Sequence, residues 1–178
     1  MPFFNQGHNL VVKFANINAC TLHAYDNPRC WEMESQGRML RRWCQLCDQV
    51  WVYDYNYTML AGKFTLTPRV HRVRRNLPLL KQWGLLGFHD QDEADWSLPC
   101  IPIRLVRAAL EWDTKANVDE LLGDLYTRWF GPAAAPLKAY YAALEAAFSK
   151  ATIHGNEDVV LNSIHTPPLL GKLRASVE

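Results

Sequence analysis

Apolar positions along this chain fall into two kinds of run. Short continuous runs rich in Val, Phe, Trp and Tyr read as strands, and longer runs with apolar residues three and four apart read as amphipathic helices. The first strand is predicted from Val11 to Leu22, with Val11, Val12, Phe14, Ile17 and Cys20 apolar. It ends in His23-Ala-Tyr-Asp-Asn-Pro28, a turn-forming stretch. A helix is expected from Ser35 to Gln49, with Met39, Leu40, Trp43, Leu46 and Cys47 along one stripe. Val50-Trp-Val-Tyr53 opens a second strand, and a second helix is expected from Val70 to Trp83. Pro78 would kink or divide that helix, because proline lacks an N–H and its ring crowds the preceding turn. Gly84 stops it. Leu85 to Phe88 reads as a fully buried third strand, followed by a helix from Pro102 to Trp112.

The order is β-α-β-α-β-α, with strands far enough apart for helical crossovers between parallel neighbours. This is an α/β pattern. After Trp112 only helices are expected. Asn117 caps one, with Glu120 as its capping-box partner, and Gly131-Pro132 closes it. The next carries Leu137, Tyr140, Tyr141, Leu144 and Phe148, and a last short one starts at Thr166-Pro167. Three β/α units make either a small open sheet or part of a larger barrel, since a closed eight-unit barrel takes about 250 residues.

In parallel α/β folds, ligands bind at the carboxyl ends of the strands. The three ends share a character. The first offers His23, Tyr25 and Asp26. The second offers Tyr53, Asp54, Tyr55 and Asn56. The third offers His89, Asp90, Gln91, Asp92 and Glu93, with Trp96 soon after. Carboxylates suit general acid, base or nucleophile work at an anomeric centre, and aromatic rings stack on apolar sugar faces. Each has a plainer reading: Asp26 as a turn former, the third-end acids as solvated loop charges, the histidines as hydrogen-bonded structural groups. Asp54 is the candidate catalytic carboxylate. Tyr53, Tyr55, His89, Gln91, Trp96, His23 and Asp26 are the candidate substrate contacts.

Composition narrows the classes. A chain of 178 residues with 49% apolar and 21% charged residues can build a core. A net charge of +1 gives no global pull toward nucleic acid or anionic membrane, and neither is expected as a partner. The basic run Arg69-Val-His-Arg-Val-Arg-Arg75 reads as the solvated face of a helix carrying Val70, Val73 and Leu77, with a phosphate patch as the rival. No apolar run approaches the ~20 residues of a membrane helix, and no secretory signal is visible. Five cysteines argue against a fully paired disulfide framework. Cys44-Gln-Leu-Cys47 is a CxxC, but no second pair is spaced for a common zinc site, so its cysteines read as small buried side chains. HxH, HExxH, a Gly-rich phosphate loop and a nucleophile elbow are all absent, so no metal or cofactor is expected.

Several segments resemble the C-terminal part of the domain-of-unknown-function 4838 family, bacterial proteins similar to glycoside hydrolases and especially α-glucuronidases. They are "HAYDNPRC" from His23, Trp43 followed by "VWVYDY", Pro68, "WGLLGFHDQ" from Trp83, and "LEWDTKANVDELLGDLYTRWFGPAAAPLKAYYAALE" from Leu110. Thr114 stands where the family has Pro, and Trp129-Phe130 where it has pairs with Tyr. The resemblance implies the C-terminal portion of a (β/α)8 TIM barrel, about three β/α units, followed by an α-helical tail. Residues 1–112 would be the partial barrel and 113–178 a helical region packed on it. The first half of the barrel, or another chain covering the sheet edge, would lie elsewhere. No residue here matches the acid that protonates the leaving group, so this chain alone is not expected to turn over substrate. The implied function is acting on or binding carbohydrate, uronic-acid-containing sugars included. The alternatives are a non-catalytic carbohydrate-binding or structural remnant, and a helical interaction module built on Trp112 to Glu145.

Overall fold

The structure is a computed structural model that describes residues 10–17, 19–55, 67–91, 97–155 and 162–178. Its elements run β1 (Val11–Ala15), α1 (Trp31–Leu46), β2 (Gln49–Tyr55), α2 (Val70–Trp83), β3 (Gly87–Gln91) and α3 (Ser97–Trp112). Then come α4 (Val118–Phe130), a 3-10 turn (Gly131–Ala133), α5 (Ala134–Ser149) and α6 (Pro167–Ala175). The strands form one parallel sheet in the order β1-β2-β3. The barrel expectation is thereby corrected. The described residues form a small open three-stranded sheet among helices, which is α/β but gives no barrel architecture. Three strands are too few to close a sheet on itself, and the resemblance carried the barrel further than the strands do.

Register explains which side of the sheet carries the core. Val12 pairs with Val50, Phe14 with Val52, Val52 with Phe88, and Asp54 with Asp90. Side chains alternate faces along a strand, so these residues share one face. Phe14, Val50 and Val52 are buried there with Met33 and Leu40 of α1 and Leu80 of α2. Leu144, Phe148, Ile164 and Leu173 join the same cluster, so the helical tail and the sheet share a core. A second cluster joins Val70, Val73 and Leu77 of α2 to Ile103, Val106 and Leu110 of α3 and to Val118.

Local differences from the expected elements have identifiable causes. β1 ends at Ala15, because the chain turns at once through Ala19 N–H donating to the Asn16 carbonyl at 3.0 Å. α2 is not divided at Pro78. The buried stripe of Val70, Val73, Leu77 and Leu80 outweighs the one hydrogen bond proline forfeits. Gly84 ends α2 with φ 90°, the left-handed cap expected of glycine. β3 is neither where expected nor fully buried: it begins at Gly87, and Leu86 is exposed. A Cβ on Gly87 would lie 2.7 Å from the Trp51 ring, so glycine lets the indole of β2 lie across β3. Asn117 caps α4 by accepting from the Asp119 and Glu120 backbone N–H groups.

Gly37 on α1 faces the loop after β1, where a Cβ would stand 2.7 Å from the Tyr25 carbonyl oxygen. Gly37→Ala is expected to destabilise the fold by about 1–3 kcal/mol through overpacking. Gly123→Ala, in α4 with nothing within 4 Å, is expected to stabilise it by roughly 0.5–1 kcal/mol. Urea unfolding of both variants checks the pair. Equal effects would mean that α1 does not press on this loop.

Candidate functional site

Asp54 lies near the carboxyl end of β2 with its side chain on the helix-covered face. Its Oδ2 accepts from Arg107 Nη1 of α3 at 2.7 Å, and its Oδ1 accepts from the Tyr55 N–H at 2.9 Å. Arg72 Nη2 of α2 stands 3.6 Å from Oδ1. Arg107 also contacts Asp90 on β3 and pairs with Glu111 one turn on at 2.7 Å, while its guanidinium carbon sits 4.8 Å above the Phe88 ring. Arg69 donates to the Tyr55 carbonyl. The Arg72 and Arg107 side chains are each only 6% exposed and that of Asp54 13%, so this trio is largely out of water, whereas Asp90 and Glu111 sit at its solvent edge.

Charge balance sets the state of each acid. Burial alone would raise the Asp54 carboxyl, but Arg107, Arg72 and Arg69 outweigh it and hold it at about 2. Asp90 goes the other way. Burial, helped by Asp54 and Glu111, prevails over Arg107 and pushes it up to about 7. A void of about 10 Å³ lies against Asp54, shared with Tyr25, Asn76 and Phe88, far too small for a sugar ring.

The alternation that turns Asp54 inward turns its neighbours outward. Tyr53 pairs in register with His89, and Trp51 with Gly87. The Tyr53 ring lies 5.1 Å from that of Tyr55 and 4.9 Å from that of His89. Lys13 Nζ of β1 reaches His89 Nδ1 at 3.3 Å. Lys13 and His89 are exposed, Trp51, Tyr53 and Tyr55 are half-buried, and none of them joins either core cluster. The structure therefore divides the candidates. Tyr53, Tyr55 and His89 share an aromatic face, and Asp54 lies on the opposite face. Gln91 is described as backbone only, paired with Tyr55, and Trp96 lies outside the described residues. Asp26 pairs with Arg75 at 2.6 Å away from both, and His23 is buried in the loop after β1.

The basic run divides: Arg74 and Arg75 lie on the solvated face of α2, as expected, and Arg69 and Arg72 do not. Arg69 and Arg72 are buried on the inner face of α2, whereas Arg74 pairs with Asp119 and Arg75 with Asp26. A cavity of about 800 Å³ opens between α2, α3, α4 and α5, lined by Arg74, Ile103, Tyr126, Lys138 and Tyr141 among others. His71 stands in its wall with both ring nitrogens engaged, Nδ1 with Glu145 at 2.5 Å and Nε2 with the Leu22 carbonyl at 2.8 Å. The aromatic stripe of the helical region is split: Trp129 is exposed, whereas Tyr140 and Tyr141 are half-buried and pack edge to face.

Cys44 and Cys47 pack half-buried against the main core. Among the described residues, a different group is able to hold a metal. Cys20, His23, Cys30 and His154 bring one ligand atom each to within 4.8 Å of one another. Burial pushes the Cys30 thiol up to about 11, so it is no ready nucleophile on its own.

The sequence model of the family described as Domain of unknown function (DUF4838) matches residues 2–143. No curated protein and no solved structure matches the chain.

Asp54→Ala, which leaves Arg107 and Arg72 buried without their shared anion, is expected to cost about 3–5 kcal/mol in urea unfolding. The two acids also give opposite pH dependences. Asp54 titrates below its ordinary 3.8, so its stabilisation is present above that value and is lost as pH falls through about 2. Asp90 titrates above 3.8, so stability falls as pH rises from there through about 7. Asp90→Asn is expected to remove that fall, gaining about 1–2 kcal/mol on wild type across the interval, since solvent screens this partly exposed carboxyl. A constant difference between the two proteins would show that Asp90 is ionised throughout.

Proposed function

The chain belongs to the DUF4838 family, and on that footing we propose that it binds carbohydrate on the aromatic face of its sheet. The observation that carries the reading is the Tyr53 ring, 5.1 Å from that of Tyr55 and 4.9 Å from that of His89, on a face where none of the three joins either core cluster. Half-buried rings with polar tips offer flat apolar area to the C–H face of a sugar and hydrogen bonds to its hydroxyls. Lys13 beside His89 adds a cation, which favours sugars bearing a carboxylate, such as uronic acids. The glycoside-hydrolase resemblance of the family points to the same ligand class.

Binding is favoured over hydrolysis because Asp54 faces away from these rings and is neutralised by arginine. A second reading, hydrolysis of a glycosidic bond, has one observation in its favour. Asp54 and Asp90 are register partners whose carboxyl groups titrate at about 2 and about 7, the split seen between a fixed carboxylate and a general acid. Against it, Arg107 pairs with both groups.

Titration calorimetry with neutral and uronic-acid oligosaccharides tests the proposal. Tyr53→Ala and Tyr55→Ala are each expected to weaken binding about tenfold, or about 1.4 kcal/mol, without loss of fold. Lys13→Met is expected to weaken the uronic-acid ligands selectively. Affinity that survives loss of both tyrosines would overturn the site. Turnover of aryl glycosides by wild type that vanishes in Asp90→Asn would favour hydrolysis instead.

A further inference from the structure

The geometry points to a structural zinc site formed by Cys20, His23, Cys30 and His154. The first three sit on the loop between β1 and α1, and Cys30 is the N-cap residue of α1. His154 comes from the segment after α5, so the site would join the helical tail to the loop at the carboxyl end of β1. Two thiols and two imidazoles are the donor set that zinc takes in closed tetrahedral sites. Such a site, with Zn–N near 2.0–2.1 Å and Zn–S near 2.3 Å, spaces its donor atoms roughly 3.3–3.8 Å apart. Here they already lie within 4.8 Å, so small side-chain adjustments complete the tetrahedron.

Three further observations support a cation over simple packing. The Nδ1 of His23 faces Cys20 Sγ at 3.3 Å, while its Nε2 faces the Ala151 carbonyl at 3.2 Å. A carbonyl can only accept, so Nε2 carries the proton and Nδ1 presents its lone pair toward Cys20. Holding a ligating imidazole through its other nitrogen is the usual outer support of a metal site. The Nδ1 of His154 is buried and has no hydrogen-bond partner, a cost that a coordinated metal would explain. The two His rings lie 4.8 Å apart, and the tail is tied to the loop by the Thr21 N–H donating to the Gly155 carbonyl at 3.1 Å. Four protein donors leave no open position, so the zinc would stabilise rather than react. The resulting Cys-x2-His-x6-Cys spacing with one distant His is not a double CxxC, and so it escapes a search by motif.

The full chain, reduced with a phosphine, loaded with Zn²⁺ and desalted, is expected to retain about one zinc per molecule by mass spectrometry. Co²⁺ is expected to give the intense ligand-field bands of tetrahedral, thiolate-bound cobalt. His154→Ala and Cys20→Ser are each expected to weaken retention at least about tenfold, and Cys44→Ser/Cys47→Ser to leave it unchanged. His154→Ala removes a half-buried tail residue, and circular dichroism checks that it folds. No retained zinc in wild type, an octahedral cobalt spectrum, or retention unaffected by His154→Ala would overturn the site. So would retention lost with Cys44 and Cys47, or a Cys20–Cys30 disulfide persisting in the zinc-treated protein.

Discussion

The arrangement turns on one buried cation. Arg107 enters from α3 and meets Asp54 on β2, Asp90 on β3 and Glu111 on its own helix, with the Phe88 ring beneath it. Taking a guanidinium out of water costs several kcal/mol, offset only where its partners are close and well aligned. That requirement fixes α3 against two strand ends at once. It also fixes the fate of Asp54, whose carboxylate is spent on arginines and a backbone N–H.

The period of two in β2 then separates structure from surface. Val50, Val52 and Asp54 face the helices; Trp51, Tyr53 and Tyr55 face away. A strand with such different faces gives the chain a buried ionic layer on one side and an aromatic platform on the other. Gly87 contributes by having no side chain, since the Trp51 indole occupies the place of its Cβ. The helical tail is not an appendage to this layer. Leu144, Phe148 and Leu173 share a core with the sheet, and the Cys and His cluster straddles the same junction.

Much of this was legible in the sequence, with clear physical limits. The β-α order, the bounds of α2 and the caps at Gly84 and Asn117 follow from local rules, and the structure agrees. The barrel does not follow, because strand count and closure are set by contacts that no local pattern encodes. Asp54 stood out as an acid in a strand, but its environment depends on Arg72 and Arg107, which come from other elements. A signal for them existed. Arg69, Arg72 and Asn76 recur at helical spacing beside Val73, Leu77 and Leu80, so some of the basic run had to turn inward. Alternation also implied that Asp54 and Tyr53 look in opposite directions, though both appeared to serve one site. The Cys20, His23, Cys30 and His154 group was hidden by distance along the chain.

We propose that the aromatic sheet face, and not the buried acid or the inter-helix cavity, is the ligand surface. Chemical-shift mapping of the isotopically labelled chain during titration with a uronic-acid oligosaccharide tests it most directly. Saturable shifts centred on Lys13, Tyr53, Tyr55 and His89 are expected, with Tyr126, Tyr141 and Lys138 of the cavity unmoved. Shifts confined to the cavity, with the sheet face silent, would contradict it.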